Sequence, residues 1–257
     1  MVFSSALVSP ALPLFRLTQT SSPTLTLVHS PLRSHLRPLP LRPPRRLSSS
    51  PSHVAAAGLP MEELVERDWS FLDADPSDTQ RADKARRIIA AANIKETGSK
   101  VLAALPTADF IDRVVESAPC ELLVAIHESL FVLAMIKESH DRVRCWQGTI
   151  DVVPEKFVPF DVVFVCYFPG MGVSVDQLLS SLSRKCSPGA RIVLSFDQGR
   201  AAVEQNHRQQ FPDIVTFDLP DRIVLEKAAM EHSFQIIEFV DEPAFYLAVL
   251  RFHDQEK

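Results

Sequence analysis

The chain has 257 residues, with 27 lysines and arginines against 32 aspartates and glutamates, and its basic residues are unevenly distributed. Residues 1–61 contain six arginines, no lysine and no acidic residue. Without those six arginines the chain carries 21 basic and 32 acidic residues, a formal net charge near −11. A domain of that charge is poorly suited to binding DNA or RNA, which requires clustered cations. We therefore expect no direct contact with nucleic acid.

Residues 1–56 have the composition of an organellar targeting segment. They are rich in serine, proline and arginine and contain no acid, which is typical of a transit peptide. The run SSSPSHVAAAG resembles a stromal processing site with a cut near Ala57. A disordered basic arm that binds nucleic acid is the competing interpretation. The serine and proline content favours import into the chloroplast, to the stroma or the thylakoid surface, over import into the mitochondrion.

Cysteine spacing and hydropathy give no support to metal, redox or membrane-spanning functions. The four cysteines lie twenty or more residues apart and form no CxxC pair or Cys/His cluster. Neither a zinc site nor a redox dithiol is therefore predicted, and we expect no bound metal. The longest apolar stretch, residues 122–136, contains His127, Glu128 and Ser129. It is too short and too interrupted to span a bilayer, so no transmembrane segment is expected.

Residues 57–97 are predicted to form N-terminal helices ahead of the main domain. One helix is expected within residues 61–74, where Trp69 would anchor the N-terminal helices to the body of the protein. A second helix is expected over residues 77–94, with Ser77 as its cap and an apolar stripe along one face.

Strands and helices alternate over residues 98–257. Five short segments are predicted as strands, at residues 100–105, 121–126, 142–148, 160–168 and 191–196. Thr107 and Ser174 are predicted to cap the helices after the first and fourth strands. A turn is expected at residues 187–190, and a helix and an antiparallel hairpin are expected to end the domain. This order predicts an α/β fold with a doubly wound, mostly parallel seven-stranded sheet and an antiparallel terminal hairpin.

The order of elements resembles the class I S-adenosylmethionine-dependent methyltransferase fold over about residues 80–252. Three segments carry the resemblance: the terminal hairpin FQIIEFVDEPAFYLAVLRF, the stretch VRCWQGTIDVVPEKFVPFDVVFVCYF and the segment LLSSLSRKCSPGARIVLSF. The resemblance implies a Rossmann-like domain that binds S-adenosylmethionine through three contacts, one after each of the first three strands.

The first of these contacts departs from the family's pattern. In the family the first strand ends in an acidic residue followed by Gly-x-Gly-x-Gly, because the backbone must turn sharply and approach the ligand. Aligned on that motif, KVLAALPTAD places Ala103 at the acid and Leu105, Thr107 and Asp109 at the three glycines. Pro106 removes a backbone donor, and the Asp109 carboxylate lies where a helix N-terminus would otherwise attract phosphate. The stretch predicts a lost nucleotide site.

The other two contacts depart from the pattern as well. The acid that binds the ribose hydroxyls is replaced by His127, and a neutral imidazole accepts only one hydrogen bond. Glu128 follows directly, but a shift of one residue on a strand points its side chain the other way. The acid that recognises the adenine amine is replaced by Thr149, with Asp151 two residues further on as a residual acceptor. We interpret His127 as a surface or loop histidine, since the sequence supplies no partner for it.

The loop CYFPGMG after the fourth strand lies at the edge where ligands of such folds bind. It lacks the Asn/Asp-Pro-Pro-aromatic motif of amino methyltransferases. Gly170 and Gly172 are predicted to let the loop turn, with Tyr167 and Phe168 packed in the core. The chain has no Gly-x-Ser-x-Gly elbow, so a hydrolase receives no support. No catalytic residue is predicted.

These departures lead to two main hypotheses. The first is a plastid protein that has lost S-adenosylmethionine binding, needs no cofactor, and acts through protein partners as an assembly factor, scaffold or accessory subunit. The alternative is an active S-adenosylmethionine-dependent methyltransferase whose site is built on His127, Thr149 or Asp151 and the CYFPGMG loop. An RNA-associated accessory protein is a third, less favoured hypothesis because the net charge opposes direct contact.

Overall fold

The computed structural model describes residues 66–73, 80–95 and 98–253. The predicted transit peptide lies outside these ranges. Seven strands form one sheet: β1 Lys100–Ala104, β2 Leu122–His127, β3 Arg144–Gln147, β4 Phe160–Val165, β5 Cys186–Phe196, β6 Phe234–Glu242 and β7 Phe245–Phe252. Their spatial order is β3-β2-β1-β4-β5-β7-β6. The pairs among β1 to β5 are parallel, and β7 is antiparallel to both β5 and β6. The predicted sheet and its terminal hairpin are confirmed.

The central strands are apolar along their whole length because both faces of the sheet are covered. On β1, Leu102 and Ala104 belong to one buried cluster, whereas Val101 and Ala103 belong to the cluster on the opposite face. All four side chains are fully buried. A strand buried on both faces has no polar alternation, which explains the continuous apolar runs in the sequence.

In the described part of the chain, one α-helix precedes the sheet and six others lie between its strands: α1 Arg81–Ala92, then α2 Ala108–Ser117, α3 Leu130–Ser139, α4 Val175–Ser183, α5 Gly199–Ala202, α6 Arg208–Gln210 and α7 Arg222–Glu231. The predicted caps of α2 and α4 are confirmed, since Thr107 accepts a hydrogen bond from the N–H of Phe110 and Ser174 forms a capping box with Gln177. The predicted cap Ser77 lies outside the described residues. Within those residues no helix is long and apolar enough to cross a membrane.

Two boundaries near the end of the parallel sheet differ from the prediction. β4 ends at Val165, three residues earlier than expected. The predicted turn at residues 187–190 lies inside β5, which begins at Cys186. The pairing of β5 with β4 shifts between Phe160 and Val162, so the extra residues form a bulge in the strand instead of a separate turn.

Residues 66–73, which we call the strap, are not an α-helix, so the predicted helix over residues 61–74 is wrong in its described part. The strap is irregular up to Trp69 and then forms a single 3₁₀ turn, Ser70–Leu72. The Asp68 side chain accepts a hydrogen bond from the N–H of Ser70 at 2.9 Å. Such a local bond offers the backbone an alternative to the helical pattern.

Candidate functional site

The strap lies across the crevice at the carboxyl ends of β1, β2, β4 and β5, where open α/β sheets bind their ligands. Four predicted positions lie at the end of β1, in the turn after it and at the start of α2. Leu105 stands at the first of the three glycine positions and has a φ of 51°. This left-handed conformation costs a residue with a Cβ about 1–2 kcal/mol. Its N–H donates to the Ile126 carbonyl at 2.9 Å, and its side chain is buried. The turn therefore keeps a backbone that favours glycine, with a leucine filling the space beside it.

The side chains at the other three positions are engaged within the fold. Ala103 is fully buried in the sheet and supplies no polar group. Thr107 is occupied by the cap of α2. The Asp109 carboxylate accepts two hydrogen bonds from the Arg113 guanidinium, at 2.9 and 3.1 Å. The carboxylate thus lies in the first turn of α2 beside its own counter-ion, and a phosphate there would meet its negative charge.

The interpretation of His127 as a surface or loop histidine is wrong. The side chain is almost completely buried at the end of β2, and its Nδ1 accepts a hydrogen bond from the N–H of Ser129 at 2.9 Å. The Trp69 ring covers it in an edge contact, with ring centroids 4.8 Å apart. Burial lowers the pKa of His127 to about 4, against the opposing influence of the Glu66 carboxylate. The sequence could not reveal this burial, because the covering residue lies 58 positions earlier.

The remaining predicted acceptors are not free to bind one ligand together. Glu128 forms an ion pair with Arg67 of the strap at 3.0 Å. Asp151 accepts a hydrogen bond from the hydroxyl of Ser181, a buried residue of α4. Thr149 is half-buried at the wall of a narrow gap in the crevice. The structure thus brings Thr149 to the crevice but holds Asp151 against a neighbouring helix.

Trp69 is the main occupant of the crevice. Its side chain is 4% exposed, and it touches both His127 at the end of β2 and Gly170 in the loop after β4. A Cβ added to Gly170 would lie 2.9 Å from Trp69 Cη2, which is closer than van der Waals contact allows. The prediction that Trp69 anchors the N-terminal part is confirmed, although the residue does not lie on a helix.

Phe71 covers the neighbouring half of the crevice. Its ring stacks on Phe211 with centroids 4.1 Å apart and meets the rings of Tyr167 and His207 edge-on. Beneath it, the Tyr167 hydroxyl is 3.0 Å from His207 Nδ1. Burial raises the pKa of Tyr167 and lowers that of His207, so both rings are neutral near pH 7. The prediction that Tyr167 packs in the core is confirmed.

A carboxylate of the strap occupies the N-terminus of α3. The Glu66 side chain accepts hydrogen bonds from the N–H groups of Leu130 and Phe131, each at 3.4 Å. A side-chain hydrogen bond with Ser129 is the largest influence that lowers the pKa of Glu66, and the two N–H groups add to it. A helix N-terminus attracts anions, and here the anion comes from the same chain.

An arginine of α1 holds the other end of the strap. Arg81 Nη2 donates to the Leu72 carbonyl at 2.8 Å, and its Nε lies 2.6 Å from the Asp197 carboxylate after β5. Both side chains of this ion pair are largely shielded from water. Residues near each end of the strap therefore bind residues at a helix terminus, and an ion pair at each end reaches a residue just after a strand.

The strap leaves little room where the first contact of the methyltransferase pattern would lie. The gap among Leu105, Ile126, Thr149 and Met171 measures about 10 Å³, which is about the space of one water molecule. A larger cavity of about 370 Å³ lies between the strap and the ends of β2 and β3, lined by Trp69, Glu128, Gln147 and other residues. With the strap in place, the residues present do not fit a nucleoside beside the β1 turn.

Sequence reasoning missed Phe71, His207 and Arg81 as parts of this site. His207 lies in a π-helical segment, Val203–His207, between α5 and α6, and nothing in the local sequence separates it from an ordinary surface helix. Phe71 contacts Tyr167 and His207, and Arg81 pairs with Asp197. In each pair the residues are 60 or more positions apart in the chain. Hydrophobic periodicity reports which face of an element is buried, not which distant element covers it.

One cluster with metal-ligand spacing occurs among the described residues. Asp176 at the start of α4, Glu231 at the end of α7 and His232 have ligand atoms within 4.8 Å of one another. His232 Nε2 is 2.8 Å from the Asp176 carboxylate. Exposed groups of this kind commonly gather without an ion, so the spacing alone does not establish a metal site.

Comparisons with known proteins give similarity at the level of the fold. Neither a protein-family model nor a curated protein sequence matches the chain. Among solved structures, a chain from the complex of the Haloferax volcanii Trm112 methyltransferase activator with a methyltransferase superposes with a TM-score of 0.57 and 12% identity, over 68% of this chain and 91% of that one. An S-adenosylmethionine-dependent methyltransferase from Mesorhizobium loti superposes with a TM-score of 0.52 and 13% identity, over 65% of this chain and 96% of that one. A methyltransferase structure from Bacillus halodurans superposes with a TM-score of 0.52 and 12% identity, over 67% of this chain and 100% of that one. The described domain therefore has the seven-stranded, Rossmann-like fold of the class I S-adenosylmethionine-dependent methyltransferases.

Proposed function

We propose that the chain is a non-catalytic protein with a methyltransferase-like fold that does not bind S-adenosylmethionine. The observation that carries this proposal is the occupied crevice: Leu105 fills the β1 turn, and Trp69 lies against His127 and Gly170. The ribose-binding acid is absent, and the adjacent Glu128 is paired with Arg67. Each change removes or blocks a different contact, so their effects on cofactor affinity reinforce one another.

In place of catalysis we assign the protein a binding role as an assembly factor, scaffold or accessory subunit in the chloroplast. Large apolar side chains stand exposed on two helices: Phe131 on α3 is 68% exposed, and Ile223 and Met230 on α7 are 78% and 75% exposed. Ile223 and Met230 are seven positions apart on α7 and so lie on the same face of that helix, and an apolar helix face exposed in this way favours contact with another protein. A solved structure of the same fold occurs in a complex with a protein activator, and the composition of residues 1–56 favours import into the plastid.

The cavity of about 370 Å³ favours one alternative, an active methyltransferase with a non-standard cofactor site. Glu128 and Gln147 line this cavity; Glu128 directly follows β2, and Gln147 is the last residue of β3. In the methyltransferase pattern, the ends of these two strands carry the ribose and adenine contacts. Cavities of about 300–1,000 Å³ hold small organic ligands. In this alternative the nucleoside would lie beside the strap, not in the β1 turn.

Binding of S-adenosylmethionine to the full chain separates the two functions. We expect no calorimetric heat and no thermal shift at millimolar ligand, with an active methyltransferase of the same fold measured in parallel as the positive control. A micromolar Kd would overturn the proposal. A Glu128→Gln variant shows whether any binding detected uses the 370 Å³ cavity. Purification of the tagged full chain from isolated chloroplasts tests the binding role, and a tagged protein that stays in the cytosol would refute the plastid assignment.

A further inference from the structure

We infer that the strap is a resident ligand of the crevice: Trp69 fills, from within the same chain, a pocket shaped for a flat bicyclic aromatic ring. This inference rests on the proposed loss of cofactor binding and states what took the place of the ligand. The strand order reverses direction between β1 and β4, and ligands of doubly wound sheets bind at that point. The Trp69 ring lies there, in contact with the residue ending β2 and the loop after β4.

The polar contacts of the strap are those that a bound molecule would make. The Glu66 carboxylate binds N–H groups at the N-terminus of α3, as a bound anion would. Arg67 pairs with Glu128, and the Leu72 carbonyl accepts from Arg81. The strap therefore combines a ring in an apolar pocket with charged and hydrogen-bonded groups around it, which is the usual composition of a ligand in a protein site.

The ring itself is held by shape and not by hydrogen bonding. Among the described residues, Trp69 Nε1 is the buried side-chain nitrogen or oxygen that has no hydrogen-bond partner. Buried indole N–H groups usually find an acceptor, and a buried donor without a hydrogen bond is unfavourable. A pocket that tolerates this loss selects the flat ring, so it should also accept bicyclic rings that lack the N–H.

Removal of the ring from the full chain tests the inference. The Trp69→Ala variant should lose about 10 °C in Tm, since emptying such a pocket is among the costlier core changes. Saturating free indole should restore about 3 °C or more. Benzothiophene, which replaces the N–H by sulfur, should restore at least as much as indole. The chain's other tryptophan, Trp146, is 39% exposed, and the matched variant Trp146→Ala should show no rescue by either compound.

A second measurement keeps the test decisive if Trp69→Ala fails to fold. In a Trp146→Phe protein, Trp69 is the single tryptophan, and its emission should be blue-shifted and protected from acrylamide. Red-shifted, freely quenched emission would overturn the inference, as would a Trp69→Ala protein that folds normally and gains nothing from indole. If S-adenosylmethionine binds while Trp69 stays protected from acrylamide, the proposed function fails but the inference that Trp69 fills the crevice stands.

Discussion

Acid should destabilise this protein through His127, because the native structure holds that imidazole in its neutral form. Its pKa lies at about 4 in the folded protein, against an ordinary value of 6.5. Between these values the unfolded chain binds a proton at this position and the folded chain does not. Stability is therefore fully present above the unfolded pKa and falls as the pH drops from 6.5 towards 4.

The size of the effect follows from the two pKa values. A difference of about 2.5 pKa units corresponds to about 3 kcal/mol once the pH is below both values. At about pH 5, where the unfolded histidine is almost fully protonated and the native one is still neutral, the loss relative to about pH 7.5 is about 2 kcal/mol. The cause is burial under Trp69, and the nearby Glu66 carboxylate offsets only part of it.

Urea unfolding of the wild type and of His127→Asn at both pH values measures this contribution. The asparagine amide oxygen can accept the Ser129 N–H bond in place of Nδ1 and does not titrate. His207, whose pKa is also lowered by burial, is present in both proteins, so its effect cancels in the difference. The wild type should lose about 2 kcal/mol more than the variant on acidification. Equal losses in the two proteins would refute the buried, neutral His127.

Two further predictions concern backbone positions with positive φ. At Leu105, φ 51°, replacement by glycine should leave the protein about 1 kcal/mol more stable than replacement by alanine, the reverse of the usual order, because glycine meets no Cβ penalty there. The same pair of changes at buried Leu102 of β1 is the control, and urea unfolding that shows alanine favoured at both sites would contradict the strained turn. At Gly199, φ 73°, an added Cβ would lie 2.3 Å from the Phe245 nitrogen, whereas at Gly172, φ 69°, nothing lies within 4 Å. Thermal unfolding should therefore show Gly199→Ala less stable than Gly172→Ala by at least about 2 kcal/mol, and equal effects would mean that the Gly199 backbone yields at little cost.

The fold could be predicted because its signals are local. Runs such as residues 160–165 are apolar throughout, since β4 is buried on both faces, and Thr107 and Ser174 mark helix starts by their own hydrogen bonds. The bulge in β5 could not be predicted, because residues 187–190 carry the Pro-Gly pair typical of a turn. Only the pairing with β4 decides that these residues stay in the sheet.

Apart from the anchoring role of Trp69 and the burial of Tyr167, what the sequence predicts about the site is which groups it lacks. The missing glycines and the missing acid are visible at single strand ends, so the sequence identifies Leu105 and His127 as departures from the pattern. The strap cannot be predicted from local patterns, because most of its contacts join residues about 60 or more positions apart, as Arg67 with Glu128 does. The bond between Leu72 and Arg81, nine positions apart, is an exception. The burial of His127 depends on the strap, so the error about that residue follows from the same cause.

In the proposed function, the altered residues at the strand ends and the strap are two separate obstacles to a cofactor. A chain with glycines restored at Leu105, Thr107 and Asp109 would still carry the Trp69 ring against His127 and Gly170. A chain without that ring would still have the Leu105 side chain in the turn and Asp109 at the N-terminus of α2. Because neither obstacle depends on the other, reversing one does not rebuild the site. Trp69 also stabilises the strand ends that a bound ligand would otherwise hold, so the occupied crevice is part of the folded core.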